Sequence, residues 1–148
     1  MGVIEIQSKE EFDQYLQSHK TVIIDASASW CGPCKAISPF FDKHAAENDN
    51  IKDKVAFIRF DTDEIPDLAQ ELGIRSIPAF FVFEDGERAE TLSGANPPAL
   101  MKIVQSAVEK FNEDWKLFVL GVFHGWNSII EDMLCLVVDM GREVVTTI

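Results

Sequence analysis

The sequence predicts an α/β domain whose mixed central sheet is covered by helices on both faces, and three observations carry that prediction. Strand and helix signals alternate in the order βαβαβαββα. The last two strands are separated only by the turn signal Asp85-Gly86. A chain of 148 residues with 47% hydrophobic composition is also enough for one well-filled core, which excludes disordered and fibrous classes.

The elements follow in chain order. Val3 to Ile6 is a short β-branched run that reads as a strand. Ser8 with Glu11 resembles a capping box, and Phe12, Tyr15 and Leu16 place an apolar stripe on a helix over residues 8 to 18. Val22-Ile23-Ile24 is the second strand. From Cys34 onward, Ile37, Phe40, Phe41, His44 and Ala45 recur at helical spacing to about Asn48, with Pro39 expected to kink the helix. Val55 to Asp61 reads as a third strand. Asp63, Pro66, Leu68, Ala69, Leu72 and Gly73 mark the start, apolar face and stop of a short helix. Ala79 to Phe83 and Ala89 to Leu92 form the hairpin. Asn96 as N-cap and Pro97 at the first helical position open a last helix carrying Leu100, Ile103, Val104, Ala107, Val108 and Phe111.

Between the second strand and its helix lies Trp30-Cys31-Gly32-Pro33-Cys34-Lys35. Two thiols separated by two residues can open and close a disulfide with little backbone movement, given one sulfur exposed as thiolate and a second near enough to resolve the mixed disulfide. At a helix start, Cys31 meets unpaired amide N–H groups and the positive end of the dipole, while Cys34 lies one turn deeper. Cys31 is therefore the attacking sulfur. Pro33 gives up a donor that a first helical turn leaves unused, and Gly32 leaves the approach to the sulfur open. The competing use of such a pair, half of a zinc site, needs two further ligands at matching spacing; Cys135, His19, His44 and His124 supply no such pattern.

The net charge of −12 opposes nucleic acid and acidic lipid as partners. Three cysteines are too few for a secreted disulfide framework, and Met1 to Glu10 holds no apolar signal core, so a reducing cytoplasm is the expected compartment. Ile6 occupies the place where a myristoylation signal after Gly2 wants Ser or Thr.

Over residues 3 to about 111 the chain resembles a thioredoxin. The resemblance rests on the whole Trp30-to-Lys35 motif, Asp25 six residues before the first cysteine, Pro39 inside the second helix, and Ile77-Pro78. It implies the thioredoxin fold and a protein-disulfide reductase cycling between dithiol and disulfide. It further implies that Asp25, beneath the cysteine pair, accepts the proton of the resolving thiol Cys34 through water; the plain alternative is a strand-end carboxylate satisfied by backbone donors. By the same resemblance Pro78 is cis beside the cysteines, leaving the backbone of Ile77 free to pair with an extended substrate. Trp30, with Gly32 and Pro33, walls the substrate groove; Gly94 and Ala95 form another side of it or a plain turn. Lys35 either assists the thiolate by charge or is a solvated helix residue. The family implies no bound cofactor or metal, disulfide-containing proteins as substrates, and recharging by thioredoxin reductase, a flavoprotein drawing on NADPH.

Two positions depart from the family pattern. Ala26 replaces a frequent aromatic. Phe57 stands where bacterial members tend to carry Lys, which leads to the expectation that Asp25 is desolvated without an offsetting cation. Rivals to the reductase are a disulfide oxidase or isomerase, disfavoured by Gly32-Pro33 and the missing secretory signal, and a redox-switched binding module acting through the groove or the tail.

Residues 112 to 148 have no counterpart in a minimal thioredoxin and are read as an extension separate from the domain at 1 to 111. The charge-free run from Leu117 to Ile130 has 14 residues, short of the ~20 that cross a bilayer. Trp115, Phe118, Val119, Val122, Trp126, Ile129, Ile130, Met133 and Val137 recur near helical spacing, so the stretch is either a helix lying against another surface or a terminus without a role of its own. Exposed apolar surface of that extent favours self-association. Cys135 is either a regulatory thiol or an inert small hydrophobe.

Overall fold

The computed structural model describes residues 2–123, with side-chain surroundings through Phe111. The chain divides after Phe111 into two units, of which the first, Met1–Phe111, holds the sheet and is described here. Its centre is β2 (Thr21–Ser27), buried almost throughout, as an apolar β-branched run covered on both faces must be. β3 (Val55–Asp61) lies parallel to it, and β1 (Ile4–Glu5) lies parallel to β3. On the other side β4 (Ala79–Glu84) runs antiparallel to β2 and β5 (Glu87–Ser93) antiparallel to β4, giving the order β1-β3-β2-β4-β5.

The helices divide between the faces of this sheet. On one face, Phe12 of α1 (Lys9–Ser18) and Leu68 and Leu72 of α3 (Pro66–Leu72) pack with Val22, Ile24, Ile58, Phe60 and Phe81. On the other, Ile37, Phe41 and Ala45 of α2 (Gly32–Glu47) and Leu100, Val104, Ala107 and Val108 of α4 (Pro97–Phe123) pack with Ile23, Phe57, Phe80 and Val82. The alternation of Val22, Ile23 and Ile24 between the two clusters follows from the two-residue period of a strand.

Caps agree closely with the local chemistry. Ser8 Oγ accepts from the Glu11 amide at 3.3 Å, but the Glu11 carboxylate returns to the Gln7 amide at 2.8 Å, one residue before the capping-box position. Gly73 closes α3 at φ 69°, a left-handed conformation that other residues adopt at a cost. Asn96 Oδ1 accepts from the Ala99 amide at 3.2 Å. Asp63, expected at the start of α3, does not cap it; Ile65 holds that position without a side-chain bond.

Other boundaries differ from expectation, among them the ends of β2 and α4. β2 extends past Ile24 to Ser27 because β3 and β4 pair with it along its length, so tertiary pairing overrides the weak strand tendency of Asp25 and Ser27. α2 spans Gly32–Glu47 with Pro39 in its interior. α4 does not end near Phe111 but reaches Phe123, since no Gly or Pro stop occurs between positions 112 and 120. The apolar stripe beyond Phe123, with Trp126, Ile129, Ile130, Met133 and Val137, and Cys135, lies outside the described residues. Among the described residues, no helix is long and apolar enough to cross a membrane.

At the free margin of the sheet, β5 is exposed at every position but Leu92. Arg88 on this strand lies over the rings of Phe81, at 5.0 Å, and Phe83, at 5.9 Å, closing the core on that side.

Candidate active site

The chain leaves the carboxyl end of β2 through Ala28 and Trp30 and enters α2 at Cys31, which is the N-cap residue. The Cys31 sulfur accepts a hydrogen bond from the Cys34 amide at 3.2 Å. A sulfur held at the open N–H groups of a helix start is placed where negative charge is favoured. The two cysteines are joined as a disulfide, with Cα atoms 5.3 Å apart. Among the described residues, no cluster of His, Cys, Asp or Glu is arranged to hold a metal ion.

The expectation of an exposed attacking sulfur concerns the dithiol form. In the disulfide form Cys31 is 4% and Cys34 2% exposed, because both are packed with Ala28 and Ile77. Gly32 and Pro33 are exposed, as a corner at the helix entry requires. Trp30 is 69% exposed, and its indole Nε1 donates to Asp63 Oδ2 at 2.8 Å, so the ring is tethered although it is not buried. That bond accounts for Asp63, which the sequence pattern assigns to a helix cap. Asp61 holds the neighbouring backbone, accepting from the amides of Ser29 at 3.0 Å and Asp63 at 2.8 Å.

The Ile77–Pro78 peptide bond is cis. The Gly94 amide donates to the Pro78 carbonyl at 2.8 Å, which brings the Ser93-Gly94-Ala95 turn against the proline segment, and Gly94 has φ 92°. Trp30, Cys31, Cys34, Ile77, Pro78, Gly94 and Ala95, distant in sequence, thus lie on segments linked by short contacts.

Asp25 is 1% exposed on the central strand. Its partner across the ladder in β3 is Arg59, and the pairing is chemical as well as geometric: Arg59 Nε donates to Asp25 Oδ2 at 2.7 Å. Asp25 therefore has a cation beside it, contrary to the expectation drawn from Phe57. Phe57 instead pairs with Ile23 and joins the apolar cluster, two positions before the residue that faces the carboxylate. Arg59 also donates through Nη2 to Asp42 Oδ1 on α2 at 3.0 Å, and its guanidinium lies 5.8 Å from the centre of the Phe41 ring. Desolvation by burial nevertheless outweighs the Arg59 hydrogen bond and charge, and the Asp25 pKa is raised above that of an ordinary carboxyl. Among the described residues, Asp25 Oδ1 is buried with no hydrogen-bond partner. Arg59 is the only charged residue in the run Val55-Ala56-Phe57-Ile58-Arg59-Phe60, a visible signal whose meaning depends on strand register.

Comparison with known proteins points to one family. The Thioredoxin family model matches residues 3–106. The chain is 39% identical over 106 residues to Thioredoxin-2 of Pyricularia oryzae, covering 72% of this chain and 60% of that relative. It is also 39% identical over 103 residues to a thioredoxin of Coprinus comatus, covering 70% of this chain and 95% of the relative. Among solved structures, Malassezia sympodialis thioredoxin superposes with a TM-score of 0.64 at 39% identity, covering 72% of this chain and 92% of the other. The oxidised form of mitochondrial thioredoxin 3 from Saccharomyces cerevisiae gives 0.62 at 33% identity, covering 70% and 94%. With its disulfide seated at the start of α2 in a sheet of this order, the chain belongs to the thioredoxin family and has the chemistry of a protein-disulfide reductase, a thiol-disulfide oxidoreductase.

Proposed function

We propose that Cys31 is the nucleophile, Cys34 the resolving thiol and Asp25 the proton acceptor of this reductase. The Cys31 thiolate attacks one sulfur of a target disulfide, and the target's other sulfur leaves as thiolate. Cys34 then attacks the Cys31 sulfur of the mixed disulfide while its proton passes to Asp25. The Cys31–target bond breaks, the second target sulfur departs, and the chain is left oxidised as two electrons reach the target. The observation that carries this reading is the Cys34 amide donating to the Cys31 sulfur at the helix start, which favours charge on position 31 rather than 34. The buried Asp25, with one oxygen unpartnered and its pKa raised, supports the proton-acceptor role.

Trp30, Gly32, Pro33, Ile77, Pro78, Gly94 and Ala95 line the groove for an extended segment of the target, and the exposure of Trp30 supports its place as a wall. The chain binds no cofactor of its own and is recharged by a flavoprotein reductase that draws on NADPH. It works in a reducing compartment such as the cytoplasm. The domain ends near residue 111, and the extension from 112 promotes self-association; light scattering of the full chain against a 1–111 truncation tests this, and equal association states would remove it.

Insulin reduction driven by dithiothreitol or by a reductase tests the core assignment. Cys31→Ser should abolish turnover and Cys34→Ser should accumulate mixed disulfide. Asp25→Asn should slow resolution around neutral pH. If Cys34→Ser failed to attack the target while Cys31→Ser trapped it as a mixed disulfide, the roles of the two sulfurs would be reversed.

A further inference from the structure

Arg59 stands between two carboxylates. Its Nε bonds Asp25 Oδ2 at 2.7 Å on the buried side, and its Nη2 bonds Asp42 Oδ1 at 3.0 Å on the outer side. Nε and Nη2 share one edge of the guanidinium, the edge that forms a two-point bond with a carboxylate when both donors face it. Here that pair is split. Asp25 receives one donor, and its second oxygen is left buried and unpartnered. The Arg59 side chain is 21% and the Asp42 side chain 52% exposed, so the outer carboxylate sits at the solvent boundary while the inner one does not.

We propose that Asp42 is a positioning residue for the resolving step: by engaging Nη2 of Arg59 it prevents a two-point bond to Asp25 and leaves Asp25 Oδ1 open to receive the Cys34 proton. The proposal rests on the proton-acceptor reading of Asp25, and it specifies which oxygen acts and what keeps it available. An oxygen committed to a guanidinium is a poorer base, because the bond favours the charged form. Release of Nη2 from Asp42 allows it to turn toward Asp25 Oδ1, and the pairing then closes at both oxygens. The Phe41 ring lies 5.8 Å from the Arg59 guanidinium, on the same side of the sheet as α2. The charged groups meeting Asp25 are Arg59 from β3 and Asp42 from α2, while its partner on β4 is the apolar Phe80.

The test separates the bond from the charge. Asp42→Ala removes both, whereas Asp42→Asn keeps a carbonyl oxygen to accept from Nη2 and removes only the charge. The Asp25 carboxyl is followed by carbon NMR across pH in the full-length oxidised protein, and the resolving rate is followed by single-turnover release of a thiol target. Asp42→Ala should lower the Asp25 titration midpoint by roughly one pH unit, the scale of a strengthened carboxylate–cation pairing. Asp42→Asn should move it less than half as far, and Asp42→Ala should shift the pH profile of resolution in parallel with the midpoint. A midpoint unchanged in Asp42→Ala overturns the proposal, and so does an Asn variant that moves as far as Ala, which reports charge alone. The NMR titration stands apart from the role of Asp25: if Asp25→Asn resolves like wild type, the proton-acceptor reading fails on kinetics, while the midpoints still decide whether Asp42 holds the guanidinium away.

Discussion

Replacing Asp25 with Asn should stabilise the oxidised protein at neutral pH and do so by an amount that depends on pH. The Asp25 side chain is buried, and desolvation outweighs its bond with Arg59. Taking a carboxylate out of water costs several kcal/mol, whereas a charge-assisted hydrogen bond returns about 1.5–3 kcal/mol. The difference leaves a net penalty on the order of 1–3 kcal/mol for holding the ionised group, which Asn avoids while still accepting from Arg59 Nε. Asp42 continues to partner the arginine, so no buried charge is stranded. Because the folded pKa is raised, the native chain holds the Asp25 proton more tightly than the unfolded chain, and wild-type stability falls as pH rises from the ordinary 3.8 through the folded value. The Asn variant lacks this fall. Thermal unfolding at several pH values between 3 and 8 should therefore show little difference at the acid end and an increase in Tm of about 4–12 °C at the upper end, at roughly 4 °C per kcal/mol. A variant no more stable than wild type at pH 8, or a gain of the same size at every pH, would refute the reasoning.

Other consequences concern packing and local conformation. Phe41→Ala removes a fully buried ring that meets Phe57, Phe80 and Arg59, and should cost about 3–5 kcal/mol in denaturant unfolding. Ser8→Ala deletes the side-chain acceptor for the Glu11 amide and should cost about 1 kcal/mol by the same measurement, with Ser8→Asn close to wild type. Gly73→Ala places a Cβ at φ 69° where no atom obstructs it, so its cost of about 1 kcal/mol should come from backbone conformation alone and should be largely relieved in Gly73→Asn.

The fold was legible because its signals were local and mutually consistent. The caps at Ser8 and Asn96, the stop at Gly73 and the Asp85-Gly86 turn each depend on a few neighbouring residues, and each marks a real boundary or turn. The thiol pair was legible for the same reason. What escaped the sequence depends on register. Arg59 pairs with Asp25 because β3 lies beside β2 with Ile23 opposite Phe57, and the family position that singled out Phe57 carries no information about that register. Asp42 is an unremarkable acidic residue on a helix until α2 is laid over the sheet and its carboxylate reaches the guanidinium. Asp63 is a plausible helix cap by spacing, and only the folded loop shows it bound to Trp30. The burial of Cys31 was hidden likewise, since Ile77 arrives from a segment more than forty residues downstream.

The open margin formed by β5 bears on how the molecule behaves in company. Among the described residues β5 has a neighbour on one side only, and such a row of backbone groups invites another chain to extend the sheet, yet Glu87, Arg88 and Glu90 place charge along that row, and a second strand would have to strip them of water to dock. The fold thereby discourages its copies from zipping together edge to edge. Reducing the charge of this strip, for instance by Glu90→Val, weakens the deterrent and brings crowding chains nearer to a template for growth.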